Sequence, residues 1–241
     1  MKKKTILGVI GSVIMAASMV GSITASAATS KRISGVWQYP QERNYWCGYS
    51  ALQSAINNEY RIGNLKSNYN YLWTQSNVAT YIDNNWSCIS PYSSNSNINA
   101  MPWYIGAKNV DTNRYNYPAC IALSNLTKSF QWDPYGTSTT GNGTLEWTAV
   151  KSKVMTTTDK NHAVVACGRS NPNGTSYMPG YPKYMVGHWI ACDGYKNSGN
   201  SIWVVDPAAN ASCLSGFSCS PYYNVTVQKF TDFAWYRGIL W

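Results

Sequence analysis

The chain has 241 residues, 12% charged and 14% aromatic, with 19 Lys and Arg against 10 Asp and Glu. That length suits one sizeable core, and neither an internal repeat nor a dividing linker breaks it. Beyond Lys2 to Lys4 the basic residues form no run, so they supply solubility and weak steering and speak against a nucleic-acid partner.

Residues Met1 to Ala27 have the layout of a secretory signal peptide. Lys2, Lys3 and Lys4 make the positive start, Ile6 to Val20 is apolar, and Ala25-Ser26-Ala27 fits the small-residue cleavage rule. The apolar run is too short for a spanning helix and lacks a stop-transfer flank. The expectation is an exported, extracellular protein whose single domain is 28–241, with no membrane contact after signal cleavage. Cleavage leaves 16 basic against 10 acidic side chains, a balance suited to association with anionic cell-wall polymer.

Seven cysteines in an oxidising compartment allow up to three bridges and one thiol. Cys213 and Cys219 flank a short Gly/Ser loop and are the expected pair, with Cys47 left over. Cys88, Cys120, Cys167 and Cys192 have no assigned partners.

Ile33 to Tyr39 is apolar and aromatic, and Pro40 ends it. Cys47, Ala51, Leu52, Ala55 and Ile56 recur at helical spacing, which predicts a helix from about Cys47 to Asn57. Thr74 is a good N-cap for a short helix presenting Val78, Tyr81 and Ile82. Ser96 suits the start of another over Ile98 to Ile105, limited by Pro102. Ala119 to Leu123 reads as a strand, Phe130 to Gly143 as a surface loop, and Leu145 to Met155 as a helix capped by Thr144. Strands follow at Ala163 to Cys167, Trp189 to Cys192 and Ile202 to Val205. Thr226 to Trp235 reads as a last helix and Gly238 to Trp241 as an edge strand. Helices first and an antiparallel sheet later indicate an α+β fold.

The chemistry centres on QERNYWCGYSALQ, Gln41 to Gln53. Cys47 falls in the first turn of the predicted helix, where the macrodipole favours thiolate. Gly48 leaves room for a substrate beside the sulfur, and the Gln41 amide could donate to the same point. A cysteine nucleophile then needs a base, and only His162 and His188 exist. Two distant histidines without a Cys-x-x-Cys pair make no metal site, and no Gly-rich phosphate loop implies a cofactor.

His188 opens HWIACDGY and Asp206 closes IWVVDP, with the compact Lys196 to Asn200 between them. A hairpin centred near Ser198 faces residues whose numbers sum to about 396, so Ile190 meets Asp206. His188 and Asp206 then share a face as diagonal neighbours, roughly 7–8 Å apart at Cα; a one-residue slip separates them. Asp206 would orient His188, and His188 would accept the Cys47 proton. His162 reads as a structural strand-entry histidine, and Asp193 as a turn residue.

Gln41, Cys47-Gly48, Gly187-His188 and Asp206-Pro207 resemble, in order, the four motifs of papain-fold cysteine peptidases of the bacteriocin double-glycine-leader type, especially stand-alone secreted relatives. Thr74-Gln75 and Phe230 to Trp235 are similar to weaker features of that family. Where the family has Pro-Ala after Cys-Gly, this chain has Tyr49-Ser50. The resemblance implies a papain-like fold with helices packed on an antiparallel sheet, and a monomeric peptidase acting on a peptide or protein substrate through a Cys47 thioester. Acyl transfer or cell-wall amidase chemistry would use the same residues. A non-catalytic peptide- or glycan-binding module is the competing class, motivated by Trp132, Tyr135, Tyr177 and Tyr181 in predicted loops.

Overall fold

The structure, a computed structural model, describes residues 28–85, 118–136, 145–235 and 237–241. The signal segment, Cys88, the Ser96 segment and Thr144 lie outside the described residues.

Strand β1 (Lys31–Arg32) leads into the first helix, α1 (Cys47–Arg61), then α2 (Gln75–Asn85), α3 (Pro118–Leu126), β2 (Pro134–Tyr135) and α4 (Trp147–Asp159). Strands β3 (Val164–Ser170), β4 (Val186–Lys196), β5 (Ser201–Val205) and β6 (Tyr222–Thr226) follow, then α5 (Val227–Ala234) and β7 (Gly238–Leu240). The sheet order is β2-β7-β3-β4-β5-β6, with β1 against β4, and every pairing is antiparallel. The α+β expectation is met.

Side-chain alternation explains why the strands read as continuous apolar runs. Val165, Cys167, Trp189, Ala191, Val205 and Leu240 pack into one core with α1, α2 and α3. Their neighbours Val164, Ala166, Ile190, Cys192, Val204 and Ile239 pack into a second core with α4 and α5. Both faces of the central strands are therefore covered, and a period of two loses its polar half.

Helix α1 is buried along its length from Cys47 to Glu59. Two of its polar residues tie down the approach to α2. Gln53 Nε2 and Asn57 Nδ2 donate to the Trp73 carbonyl at 2.8 and 2.9 Å, and Trp73 N–H donates to Asn57 Oδ1 at 2.7 Å. Thr74 caps α2 as predicted, its Oγ1 accepting from Asn77 N–H at 3.1 Å. Thr226 caps α5 likewise, accepting from Lys229 N–H.

Several expectations are corrected. Ala119 to Leu123 is not a strand but part of α3; a short apolar run fits either element, and Pro118 at the first helical position favours the helix. Helix α4 starts at Trp147 behind Glu146, two residues later than predicted. The Phe130 to Gly143 loop carries β2, which pairs with β7. Asp193 is no turn residue: it lies in β4 at a register shift, where Arg32 Nε and Nη2 donate to its Oδ2, fastening β1 to the sheet. Cys213 and Cys219 form no bridge, and the six described cysteines are all unbridged thiols.

Candidate active site

The hairpin of β4 and β5 has the register the sequence demands: Ala191 faces Val205 and Cys192 faces Val204. Continuing that register beyond Val205 sets Asp206 opposite Ile190. The shift at Asp193 alters the pairing only toward the turn, away from the site. His188 Nε2 lies 3.1 Å from Asp206 Oδ1, with the two residues 2% and 0% exposed.

Cys47 is the first residue of α1, behind Trp46, which supplies no side-chain cap. No acidic residue occupies the first turn, so the positive helix end acts on the thiol unopposed. The Cys47 sulfur lies close enough to act on the His188 imidazole. With Nε2 on Asp206, Nδ1 is the nitrogen left to meet it. Burial works against the imidazolium, but the Cys47 charge and the hydrogen bond to Asp206 outweigh it, pushing His188 up to about 10. Burial also acts to raise Asp206; His188 and the other donors prevail and hold its carboxyl below the usual carboxylate value.

The loop before α1 is fixed from two sides. Gln41 N–H donates to the Pro207 carbonyl at 2.8 Å, which ties it to the end of β5. Gln75, at the start of α2, accepts from Glu42 N–H at 2.9 Å and donates to the Pro40 carbonyl at 2.8 Å. Tyr45 takes a left-handed φ of 66° in this turn, an unusual conformation for an aromatic residue, two positions before Cys47. Gln41 is 2% exposed; its Nε2 donates one proton to the Arg43 carbonyl at 2.6 Å, and its Oε1 is buried without a hydrogen-bond partner. The structure thus joins His188 to Asp206, sets Cys47 near His188 and holds Gln41 in the loop leading to Cys47.

Sequence reasoning missed the groups behind Asp206. Its Oδ2 accepts from Tyr181 Oη at 2.8 Å and Tyr223 Oη at 2.7 Å, and Oδ1 accepts a second bond from Ala208 N–H at 2.9 Å. Tyr181 also sets its ring edge-on to His188 at 5.6 Å, and Phe217 lies 5.9 Å from the same imidazole. Tyr181 and Trp132 are therefore not loop platforms for a glycan: they are 3% and 1% exposed. Neither tyrosine belongs to a motif a single sequence displays.

His162, read from sequence as a strand-entry histidine, does have an acidic partner. Its Nδ1 lies 3.0 Å from both carboxylate oxygens of Glu59, near the far end of α1. The Cys213 thiol donates to the Gln41 carbonyl at 3.3 Å instead of bridging Cys219.

No curated protein matches the sequence. Among solved structures, the chain is similar to xylellain, a cysteine protease from Xylella fastidiosa, at 13% identity and a TM-score of 0.42, over 90% of this chain and 86% of that one. A family model, the Peptidase_C39 like family, matches residues 33–224, which contain the helix-tip thiol, the imidazole and the carboxylate. The match spans most of the chain, and the protein belongs to the Peptidase_C39 like family.

Proposed function

We propose that the chain is an exported cysteine peptidase that hydrolyses peptide bonds through a thioester at Cys47. The reading rests on one observation: a thiol at a helix N-terminus lies beside an imidazole that a buried carboxylate holds through Nε2. Proton transfer from Cys47 to His188 gives a thiolate–imidazolium pair, and the sulfur attacks the scissile carbonyl. The oxyanion faces the uncapped N–H groups of the first turn of α1 and the second amide proton of Gln41. His188 then protonates the departing amine, breaking the C–N bond and leaving the acyl group on sulfur. Water, deprotonated by His188, cleaves that thioester and restores the thiol.

An electrophilic activity-based probe on the mature protein, with mass-spectrometric mapping, tests this reading. Covalent capture should concentrate on Cys47. Equal labelling of the half-exposed Cys213 and Cys219 would show ordinary thiol reactivity and defeat the proposal.

Gln41→Ala should lower kcat by about 10²–10³-fold, about 2.7–4 kcal/mol, while Cys47 labelling persists. Steady-state kinetics on one peptide decides it; an unchanged kcat would remove Gln41 from the oxyanion site.

A further inference from the structure

We propose that Tyr181 and Tyr223 are positioning residues of this site: together they occupy the outer oxygen of Asp206 and so lock its inner oxygen onto His188. The inference rests on the cysteine-peptidase reading above.

A carboxylate with no access to water needs protein donors for both oxygens. Asp206 has four, two on each oxygen: His188 Nε2 and Ala208 N–H on Oδ1, Tyr181 Oη and Tyr223 Oη on Oδ2. The two phenols come from unrelated parts of the chain, Tyr181 from the β3–β4 connection and Tyr223 from β6. Their convergence at 2.8 and 2.7 Å on a single atom is built by the tertiary fold, not by local sequence. With Oδ2 held from two directions, rotation of the carboxylate away from His188 must break two charge-assisted hydrogen bonds. Burial first, then the Asp206 charge, keeps both phenols protonated, so they stay donors across the working pH range.

The groups facing Asp206 are therefore His188 from β4, Tyr223 from β6, Tyr181 from the β3–β4 connection, and the Cys219 thiol and Ala208 N–H from the β5–β6 connection. Cys219 is also held protonated by burial and by the Asp206 charge. Among these groups, the two phenols can be deleted without altering a charge or leaving a large void.

The test uses Tyr181→Phe, Tyr223→Phe and the double variant in the full mature chain. Peptide kinetics is combined with carbon-13 NMR titration of the Asp206 carboxyl, assigned by its loss in Asp206→Asn. Each single variant should lower kcat about tenfold with KM nearly unchanged, and should raise the Asp206 titration by about one pH unit. The double variant should exceed either single in both readouts. Because phenylalanine keeps the ring, circular dichroism should be unchanged. Wild-type kcat and an unmoved Asp206 titration in both single variants would overturn the proposal, even with a lowered unfolding midpoint. If the wild-type protein cleaves no amide, the peptidase reading fails, while an Asp206 titration unmoved by the loss of both phenols still overturns this one.

Discussion

Cys47→Ala and His188→Ala should each reduce kcat/KM on a peptide substrate by about four to six orders of magnitude. The two residues act as a unit, so the double variant should fall little further than either single one. Cys47→Ala removes one buried sulfur and should leave the urea midpoint close to wild type. His188→Ala removes one of the four donors to Asp206; Tyr181, Tyr223 and Ala208 N–H remain, so the protein should stay folded with a lower midpoint. The pH profile supplies a second check. His188 holds its proton up to about 10, and that proton is the one given to the leaving amine. Activity should therefore decline only as pH rises through about 10, not near the ordinary histidine value of about 6.5. The sign for stability is the same: a histidine raised in the folded state stabilises fully below about 6.5, and that contribution is lost as pH rises through 10. Asp206, depressed when folded, adds stability above about 3.8 that is lost as pH falls below it. An alkaline limb near 6.5 would show that the imidazolium is not held by Cys47 and Asp206.

The parts of this site that were legible in sequence are those encoded locally. Cys47 could be placed because helical spacing over Ala51, Leu52, Ala55 and Ile56 sets the phase of α1 and hence its first turn. His188 and Asp206 could be paired because a tight hairpin permits few registers, and the observed Ala191–Val205 pairing is the expected one. Tyr181 and Tyr223 were invisible for the opposite reason. Each is many residues from Asp206, and only the packing of β6 and the β3–β4 connection brings them together. The strand assigned to Ala119 to Leu123 failed because periodicity is silent on a short, wholly apolar run. The Cys213–Cys219 pairing failed because proximity in sequence says nothing of where the side chains go, and the Cys213 thiol turns to the Gln41 carbonyl. His162 was set aside as a base for want of an acidic partner nearby in sequence, yet a partner lay on α1, 103 residues upstream.

That partner carries the second large expected effect. Glu59 is fully buried; it takes His162 Nδ1 at 3.0 Å on both oxygens, Asn58 Nδ2 at 3.3 Å and Asn64 Nδ2 at 2.7 Å. His162 in turn stacks on Phe130 at 3.8 Å. The cluster joins α1 to the turn between α4 and β3, where Asn58 Nδ2 also donates to the Asn161 carbonyl. Glu59→Ala strands His162 Nδ1 and Asn64 Nδ2, takes one of two acceptors from Asn58 Nδ2, and should destabilise the fold by about 3–5 kcal/mol in urea unfolding. His162→Ala, which leaves Glu59 with its two asparagines, should cost less. Glu59 is twelve residues from Cys47, about 18 Å along the helix, so kcat per folded molecule should survive both changes. The two histidines then separate cleanly: His188→Ala loses catalysis with modest loss of stability, and His162→Ala loses stability while folded molecules keep turning over. Loss of turnover in folded His162→Ala, with retention in His188→Ala, would transfer the role of base to the wrong end of α1 and overturn the assignment. The distance between the two clusters makes that outcome incompatible with a Cys47 nucleophile, so one pair of variants tests the base and the nucleophile together.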